Sequence, residues 1–140
     1  MKSKLAIVGS YVNREITGEM LKTAQKRARE LQVDIIKIIE VPGAFEIPLA
    51  VKKLLENKSI AGVITLGTVI KGGTDHDEVV MHSVAAKLLD LSAEYKKPVS
   101  LGISGPNITW EQSKKRAKEY SERAVDAAVE VLRGKNKQWT

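Results

Sequence analysis

The sequence predicts a single α/β domain of three layers, with helices on both faces of a four-stranded parallel sheet. Two observations predict it: four short apolar runs alternate with longer segments of helical period, and no linker rich in proline, glycine or serine divides the 140 residues. A chain of this length buries enough apolar surface for one core. We expect the domain to span residues 1–134 and residues 135–140 to form a polar tail.

Each predicted strand is a short apolar run. Residues 5–9 form the first, and residues 33–41, rich in isoleucine, form the second and stop at a Pro-Gly pair. The third and fourth are residues 60–66 and 98–103. Uninterrupted apolar runs indicate strands that are covered on both faces, as in a parallel sheet with crossover helices.

The segments between the strands repeat apolar residues at helical spacing. Helices are predicted over residues 16–31, 45–56 and about 77–95. A fourth helix begins after Thr109, because Thr109 and Gln112 have the spacing of a capping box. The inward face of this helix is predicted to carry Ala117, Tyr120, Ala124, Ala127, Ala128 and Val131.

Composition excludes several classes of protein. The chain is 43% hydrophobic and 29% charged, as globular proteins are, and its apolar runs are too short to span a membrane. It has no cysteine, which excludes disulfides, thiol catalysis and cysteine-bound metals. The apolar segment 5–8 is too short for a signal peptide, so we expect a cytoplasmic protein.

The net charge of +6 raises the question of nucleic-acid binding. Basic and acidic residues alternate along the predicted helices, and only residues 114–116 form a compact basic run. Aromatic residues make up 4% of the chain and offer few stacking platforms for bases. We therefore expect no nucleic-acid partner, and interpret the charge as serving solubility and a small anionic substrate.

The unusual residues concentrate in the loops that follow the strands, where parallel α/β sheets bind ligands. In the third loop, Gly72 and Gly73 allow the backbone to approach a ligand closely, and Thr74 suits a helix cap. Such a loop presents backbone N–H groups to an anion. It is not a Walker motif, since no Lys-Ser/Thr pair follows the glycines. The alternative interpretation is an ordinary strand-to-helix turn.

His76 lies at the start of the helix after this loop, where an imidazole can act as a base and accept a proton from a ligand. His82 is six residues further on and points to another side of the helix, so no metal site is predicted. We interpret His82 as a packing or interface residue.

Glu46 and Arg116 each allow two interpretations. Glu46 follows a buried strand beside Phe45 and suits hydrogen bonding to a polyol or heterocycle, or else complements a helix dipole. Arg116 lies one turn after Gln112, where its guanidinium suits phosphate oxygens, or else belongs to a solvated basic face.

Three motifs together resemble the lumazine synthase family of riboflavin biosynthesis. They are Asn13-x-x-Ile16-Thr17 and the segments 42–48 (PGAFEIP) and 67–76 (GTVIKGGTDH), in the family's order and spacing. The similarity covers residues 5–132, and the segment 101–106 is similar to the archaeal branch in particular.

The resemblance implies a flavodoxin-like fold and a transferase reaction without metal or cofactor. The family joins 5-amino-6-(D-ribitylamino)uracil to 3,4-dihydroxy-2-butanone 4-phosphate, giving 6,7-dimethyl-8-ribityllumazine, phosphate and water. The family's general base falls on His76, its phosphate-binding arginine on Arg116, and its phosphate loop on Gly73 and Thr74. The positions that match its pyrimidine and ribityl pocket are Val12, Asn13, Ala44, Phe45, Glu46, Thr68, Val69 and Ile70.

Three positions depart from the family's pattern. Val12 and Leu101 stand where the family usually has aromatic side chains, and Arg123 stands where it has a substrate-side lysine. The resemblance also implies a homo-oligomer, either a pentamer or an icosahedral shell of twelve pentamers (sixty subunits). Each site then lies between two subunits, with Arg116 and Leu101 supplied by the neighbour.

Three rival functions are distinguishable. The archaeal riboflavin synthase that shares this fold would act on two lumazine molecules and need no phosphate site, whereas His76, Arg116 and the glycine loop favour the phosphate-using reaction. A flavin-binding electron carrier would need aromatic side chains in the loops. A storage or scaffold shell without catalytic activity would require loss of the polar site residues, and these are present in the sequence.

Overall fold

A computed structural model describes residues 2–139, the side chain of Asn136 excepted. In chain order the elements are β1 (Lys4–Ser10), α1 (Arg14–Glu30), β2 (Asp34–Val41), a short 3₁₀ helix (Ala44–Glu46), α2 (Ile47–Leu55), β3 (Gly62–Ile70), α3 (His76–Tyr95), β4 (Val99–Ile108) and α4 (Trp110–Lys137). The four strands form one parallel sheet in the order β2-β1-β3-β4. The predicted α/β fold with a four-stranded parallel sheet is confirmed.

The sheet has a separate apolar core on each face. Leu5 and Ile7 of β1 pack with α1 and α4, while Ala6 and Val8 pack with α2 and α3, and all four are fully buried. Successive side chains of a strand point to opposite faces. Because helices cover both faces, residues 5–8 of this strand are all apolar, and not only every second one.

Strands β3 and β4 run further than the sequence predicts. Their pairing continues through Gly67–Ile103, Thr68–Ser104 and Ile70–Ile108, with an irregularity between Thr68 and Ile70. Residues 67–70 and 104–107, expected to lie in loops, are therefore strand. Gly105 makes this possible: its φ is 115°, and a Cβ there would collide with the carbonyl oxygen of Val69.

The last helix extends beyond the predicted domain end. Helix α4 ends at Lys137, so residues 135–137 of the expected tail continue it, and the N–H of Gln138 bonds the carbonyl of Gly134 at 2.7 Å. Within residues 2–139, none of the helices combines the length and apolar character needed to cross a membrane.

Candidate active site

The order in which strands are added to the sheet changes direction between β1 and β3. Strand β2 lies on one side of β1 and β3 on the other, so the connections leaving β1 and β3 pass over opposite faces. Such a switch point opens a crevice beyond the carboxyl ends of the strands. The predicted site residues of the loops after β1, β2 and β3 all lie at this edge.

Strands β1 and β3 separate at the crevice. Their pairing ends at Gly9–Leu66, and the N–H groups of Tyr11 and Val12 bond the carbonyls of Val41 and Pro42 on the β2 side instead. Residues 67–70 are therefore paired with β4 on one side and have no β1 partner on the other. This leaves their β1 side next to the crevice.

Asn13 begins α1 with a left-handed backbone, φ 57° and ψ 57°. Its carbonyl accepts the N–H groups of Ile16 and Thr17, while its side chain makes no capping bond. The half-buried carboxamide therefore takes no part in capping this helix. The neighbouring Val12 is exposed.

The loop after β2 presents Phe45 and Glu46 to solvent. Phe45 is 66% exposed, whereas Ala44 is buried beneath it. The Oε1 atom of Glu46 accepts the N–H of Gly43 at 2.9 Å, a local bond that holds the carboxylate over the loop. Glu46 also precedes the first residue of α2, so this local contact fits the interpretation that its carboxylate complements the helix dipole.

At the end of β3, Thr68 points away from solvent. It is 2% exposed, and its hydroxyl lies 2.7 Å from that of Ser113 and 2.9 Å from that of Ser104, which are themselves 3.0 Å apart. The half-buried Val69 and Ile70 pack against the two cores. Thr68 can therefore offer a ligand its backbone, not its side chain.

The three hydroxyls form a buried triangle that joins β3, β4 and α4. Buried polar atoms need hydrogen-bond partners, and here each hydroxyl partners the other two. The triangle attaches the first turn of α4, three residues before Arg116, to the ends of β3 and β4. Sequence reasoning missed it, because single serines in a strand and in a helix carry no distinguishing pattern.

Gly73, Thr74 and His76 are exposed at the start of α3. The backbone N–H of His76 donates to Thr74 Oγ1 at 3.3 Å, so the threonine supports this turn although Asp75 occupies the capping position. The imidazole itself faces solvent at the carboxyl edge of the sheet. A base at this place can exchange protons with a ligand above the strand ends.

Hydrogen bonds to the end of β4 hold the loop between β3 and α3 in place. Asp77 is 4% exposed, and its Oδ2 accepts the N–H of Asn107 at 2.9 Å, while Asn107 Nδ2 donates to Glu78 Oε1 at 3.1 Å. On the other side of the loop, the N–H of Lys71 bonds the carbonyl of Ile108 at 2.8 Å. The histidine turn is thus attached to the end of β4 on both sides.

Replacing Asp77 with alanine is expected to lower the free energy of unfolding by about 1–3 kcal/mol, because it leaves the N–H of Asn107 without its acceptor. Urea denaturation measures the change. Asp75→Ala is the matched control: Asp75 is exposed and makes no capping bond, so we expect a change within about 0.5 kcal/mol. Equal losses of unfolding free energy in the two variants would contradict a stabilising role for the Asp77–Asn107 hydrogen bond.

Helix α4 begins with the predicted capping box. Thr109 N–H donates to Gln112 Oε1 at 2.9 Å and Gln112 N–H donates to Thr109 Oγ1 at 3.1 Å. One turn on, Lys114 pairs with Glu19 of α1 at 2.7 Å, and the hydrogen bond to that carboxylate raises the pKa of the Lys114 ammonium. Arg116 is exposed and pairs with no carboxylate of residues 2–139.

Leu101 and Arg123 lie away from the crevice of their own chain. Leu101 is in the middle of the edge strand, opposite Thr65, and 47% exposed. Arg123 follows Arg116 by seven residues, about 10 Å along α4, and pairs loosely with Glu119 at 3.8 Å. The fold therefore brings the loops of β1, β2 and β3 together but leaves these two side chains outside.

A groove of about 670 Å³ lies at the opposite, amino-terminal end of β4. It is lined by α3, α4 and the residues that follow each of these helices, among them Leu89, Pro98 and Trp139, and contains none of the predicted site residues. Within the described part of the chain, no three histidine or carboxylate side chains are grouped to hold a metal ion.

Comparison with known protein families matches residues 2–136 to the family described as 6,7-dimethyl-8-ribityllumazine synthase. The chain belongs to this family. Proteins with that name include one from Saccharolobus solfataricus, 50% identical over 92% of this chain and 84% of its own length. Another, from Metallosphaera sedula, is 52% identical over 93% and 86%, and a third, from Methanothermobacter thermautotrophicus, is 47% identical over 94% of both chains.

Membership of the lumazine synthase family confirms the resemblance found in the motifs, including its archaeal character, since these relatives are archaeal. Riboflavin biosynthesis is the family's pathway. The match extends over both halves of the sheet and over α4, so it includes all the predicted site residues.

Proposed function

We propose that this chain is a lumazine synthase that joins 5-amino-6-(D-ribitylamino)uracil to 3,4-dihydroxy-2-butanone 4-phosphate and releases phosphate and water. The observation that carries the proposal is the match to this enzyme family over residues 2–136. The arrangement of His76 and Gly73–Thr74 at the carboxyl edge of β3 supports it, since they follow the fork, the opening between β1 and β3 beyond their last pair Gly9–Leu66. The reaction requires no metal or cofactor.

The residues divide into two groups in this proposal. Gly73 and Thr74 receive the phosphate of the butanone, together with Arg116, while His76 moves protons during imine formation, phosphate elimination and ring closure. The uracil and ribityl groups occupy the fork. Their contacts come from Val12, Asn13, Ala44, Phe45, Glu46, the backbone of Thr68, and Val69 and Ile70.

The enzyme acts as a homo-oligomer, a pentamer or a shell of twelve pentamers, in which Arg116 and Leu101 serve a neighbour's site and Arg123 takes the place of the family's substrate-side lysine. Two observations support a partner copy. Leu101 and Arg123 lie outside the crevice of their own chain, and large apolar side chains are exposed on α2 and α3: Leu49 at 79%, Val79 at 63% and Leu89 at 72%. A cytoplasmic location without nucleic-acid or membrane partners completes the proposal.

The test is to mix the purified protein with both substrates and follow lumazine fluorescence and phosphate release. Lumazine and phosphate should form in equal amounts. The competing riboflavin synthase activity is tested with lumazine alone: conversion of lumazine into riboflavin, without use of the butanone phosphate, would replace the proposal.

Mixing two inactive variants tests whether the site is shared between subunits. His76→Ala and Arg116→Ala chains should each be nearly inactive at low butanone phosphate, yet regain activity when unfolded and refolded together, because hybrid interfaces combine one intact His76 with one intact Arg116. Light scattering should give at least five times the 15.4 kDa of one chain. An active monomer, or mixtures no better than the sum of the two variants, would contradict shared sites.

A further inference from the structure

Ser10 is the last residue of β1 and lies where β1 and β3 separate. Residues 5–9 of β1 pair with residues 62–66 of β3. After Ser10, the N–H of Tyr11 bonds the carbonyl of Val41 in β2. Ser10 therefore stands at the base of the fork. Ligands of α/β folds enter at such a point from beyond the strand ends.

The Ser10 hydroxyl is buried and lacks a hydrogen-bond partner. Ser10 is 3% exposed, and its Oγ makes no hydrogen bond to any of residues 2–139. A buried hydroxyl without a partner costs free energy that an alanine in the same space would not. Without a ligand, the protein therefore buries a hydroxyl that none of its described residues pairs with.

The opposite strand leaves room for this hydroxyl. A Cβ at Gly67 would lie 2.6 Å from Ser10 Oγ, closer than two such atoms can approach, so Ser10 and Gly67 fit as a pair. Ile47 Cδ1 would be 3.8 Å from the same Cβ and supplies only apolar contact. Gly67 is directly followed by residues 68–70, whose β1 side has no strand partner.

We propose that Ser10 is a binding residue for the uracil ring, whose carbonyl and N–H groups a hydroxyl can match as donor or acceptor. This inference rests on the proposed function. Rotation about one side-chain bond moves Oγ from one staggered position to another, so the hydroxyl can turn from Gly67 to a ring seated in the fork. The butanone phosphate, held at Gly73, Thr74 and Arg116, does not contact Ser10.

The experiment compares Ser10→Ala with Ser100→Ala. Ser100 carries the other buried hydroxyl without a partner in residues 2–139, but it lies opposite Ile64, three residues before Gly67, on the edge strand. Calorimetric titration of each assembled variant with 5-amino-6-(D-ribitylamino)uracil, and separately with the butanone phosphate, gives Kd. Thermal melting of the ligand-free protein gives Tm.

Ser10→Ala should raise Kd for the ribitylaminouracil about 3- to 10-fold, the effect of one neutral hydrogen bond, and leave Kd for the butanone phosphate unchanged. Its ligand-free Tm should not fall. Ser100→Ala should change neither Kd. This combination of weaker binding with undiminished stability is what a purely structural serine would not give.

Unchanged affinity in Ser10→Ala, or an equal loss for both substrates, would overturn the inference. So would a fall in Tm with normal affinity, which would make Ser10 structural. If Ser10→Ala fails to assemble, Ser10→Cys keeps a side chain of similar shape with a much weaker donor and decides by the same Kd. A wild-type protein that makes no lumazine refutes the proposed function, whereas an active wild type with an unaffected Ser10→Ala refutes this inference alone.

Discussion

Replacing His76 with alanine is expected to lower kcat about 10²-fold, with KM for both substrates little changed. Loss of a general base costs about 10²–10⁴ in rate, and we expect the low end because an amine and a ketone held together condense readily. The contact of His76 with Thr74 is made by the backbone N–H, so alanine preserves the turn. Steady-state lumazine formation measures both constants.

His82→Ala is the control for this prediction. His82 is exposed on the same helix, six residues further on, and we expect its loss to leave kcat nearly unchanged. Light scattering must show that both variants assemble as the wild type does. A larger loss of kcat in His82→Ala, in correctly assembled protein, would mean that His76 is not the base.

The fold was predictable because the signals that define it are local. Residues 5–8 of β1 are all apolar, which is the composition that a strand with helices on both faces needs. The same applies to the start of α4, where Thr109 and Gln112 lie within one turn of each other. Neither inference requires knowledge of what lies across the fold.

The ends of the elements were harder to predict, and so was the set of buried residues on a long helix. In α4, Ala127 was expected to face inward but is exposed, whereas Val125 and Val129 are fully buried. Ser121 explains the error: it lies in the buried stripe with its hydroxyl bonded to the carbonyl of Ala117 at 2.6 Å, so a polar residue interrupts the apolar pattern.

The contacts that position the candidate site join residues far apart in the chain. Thr68 and Ser113 are 45 residues apart, and Asp77 and Asn107 are 30 apart. The type of each residue has an ordinary local explanation, as a strand hydroxyl or as an acid in the first turn of a helix. The sequence could therefore indicate which loops form the site but not the bonds that hold them.

Arg116→Ala is expected to raise KM for the butanone phosphate about 10- to 100-fold, corresponding to about 1.5–3 kcal/mol for hydrogen bonds to a charged group. The guanidinium is exposed and unpaired with any carboxylate of the described residues, so its removal breaks no ion pair of the fold. Alanine also suits the interior of a helix. KM for the ribitylaminouracil should move much less, because that substrate carries no phosphate.

Two further variants separate the geometry of the arginine from its charge. Arg116→Lys keeps the positive charge but loses the two-pronged contact with phosphate oxygens, so its KM should fall between those of wild type and Arg116→Ala. Lys118→Ala removes the same charge from an exposed position two residues away and should leave KM for both substrates unchanged. If Lys118→Ala matches Arg116→Ala, the basic face of α4 attracts the phosphate as a whole. Equal rises of both KM values in Arg116→Ala would instead show that Arg116 shapes the site and does not hold the phosphate.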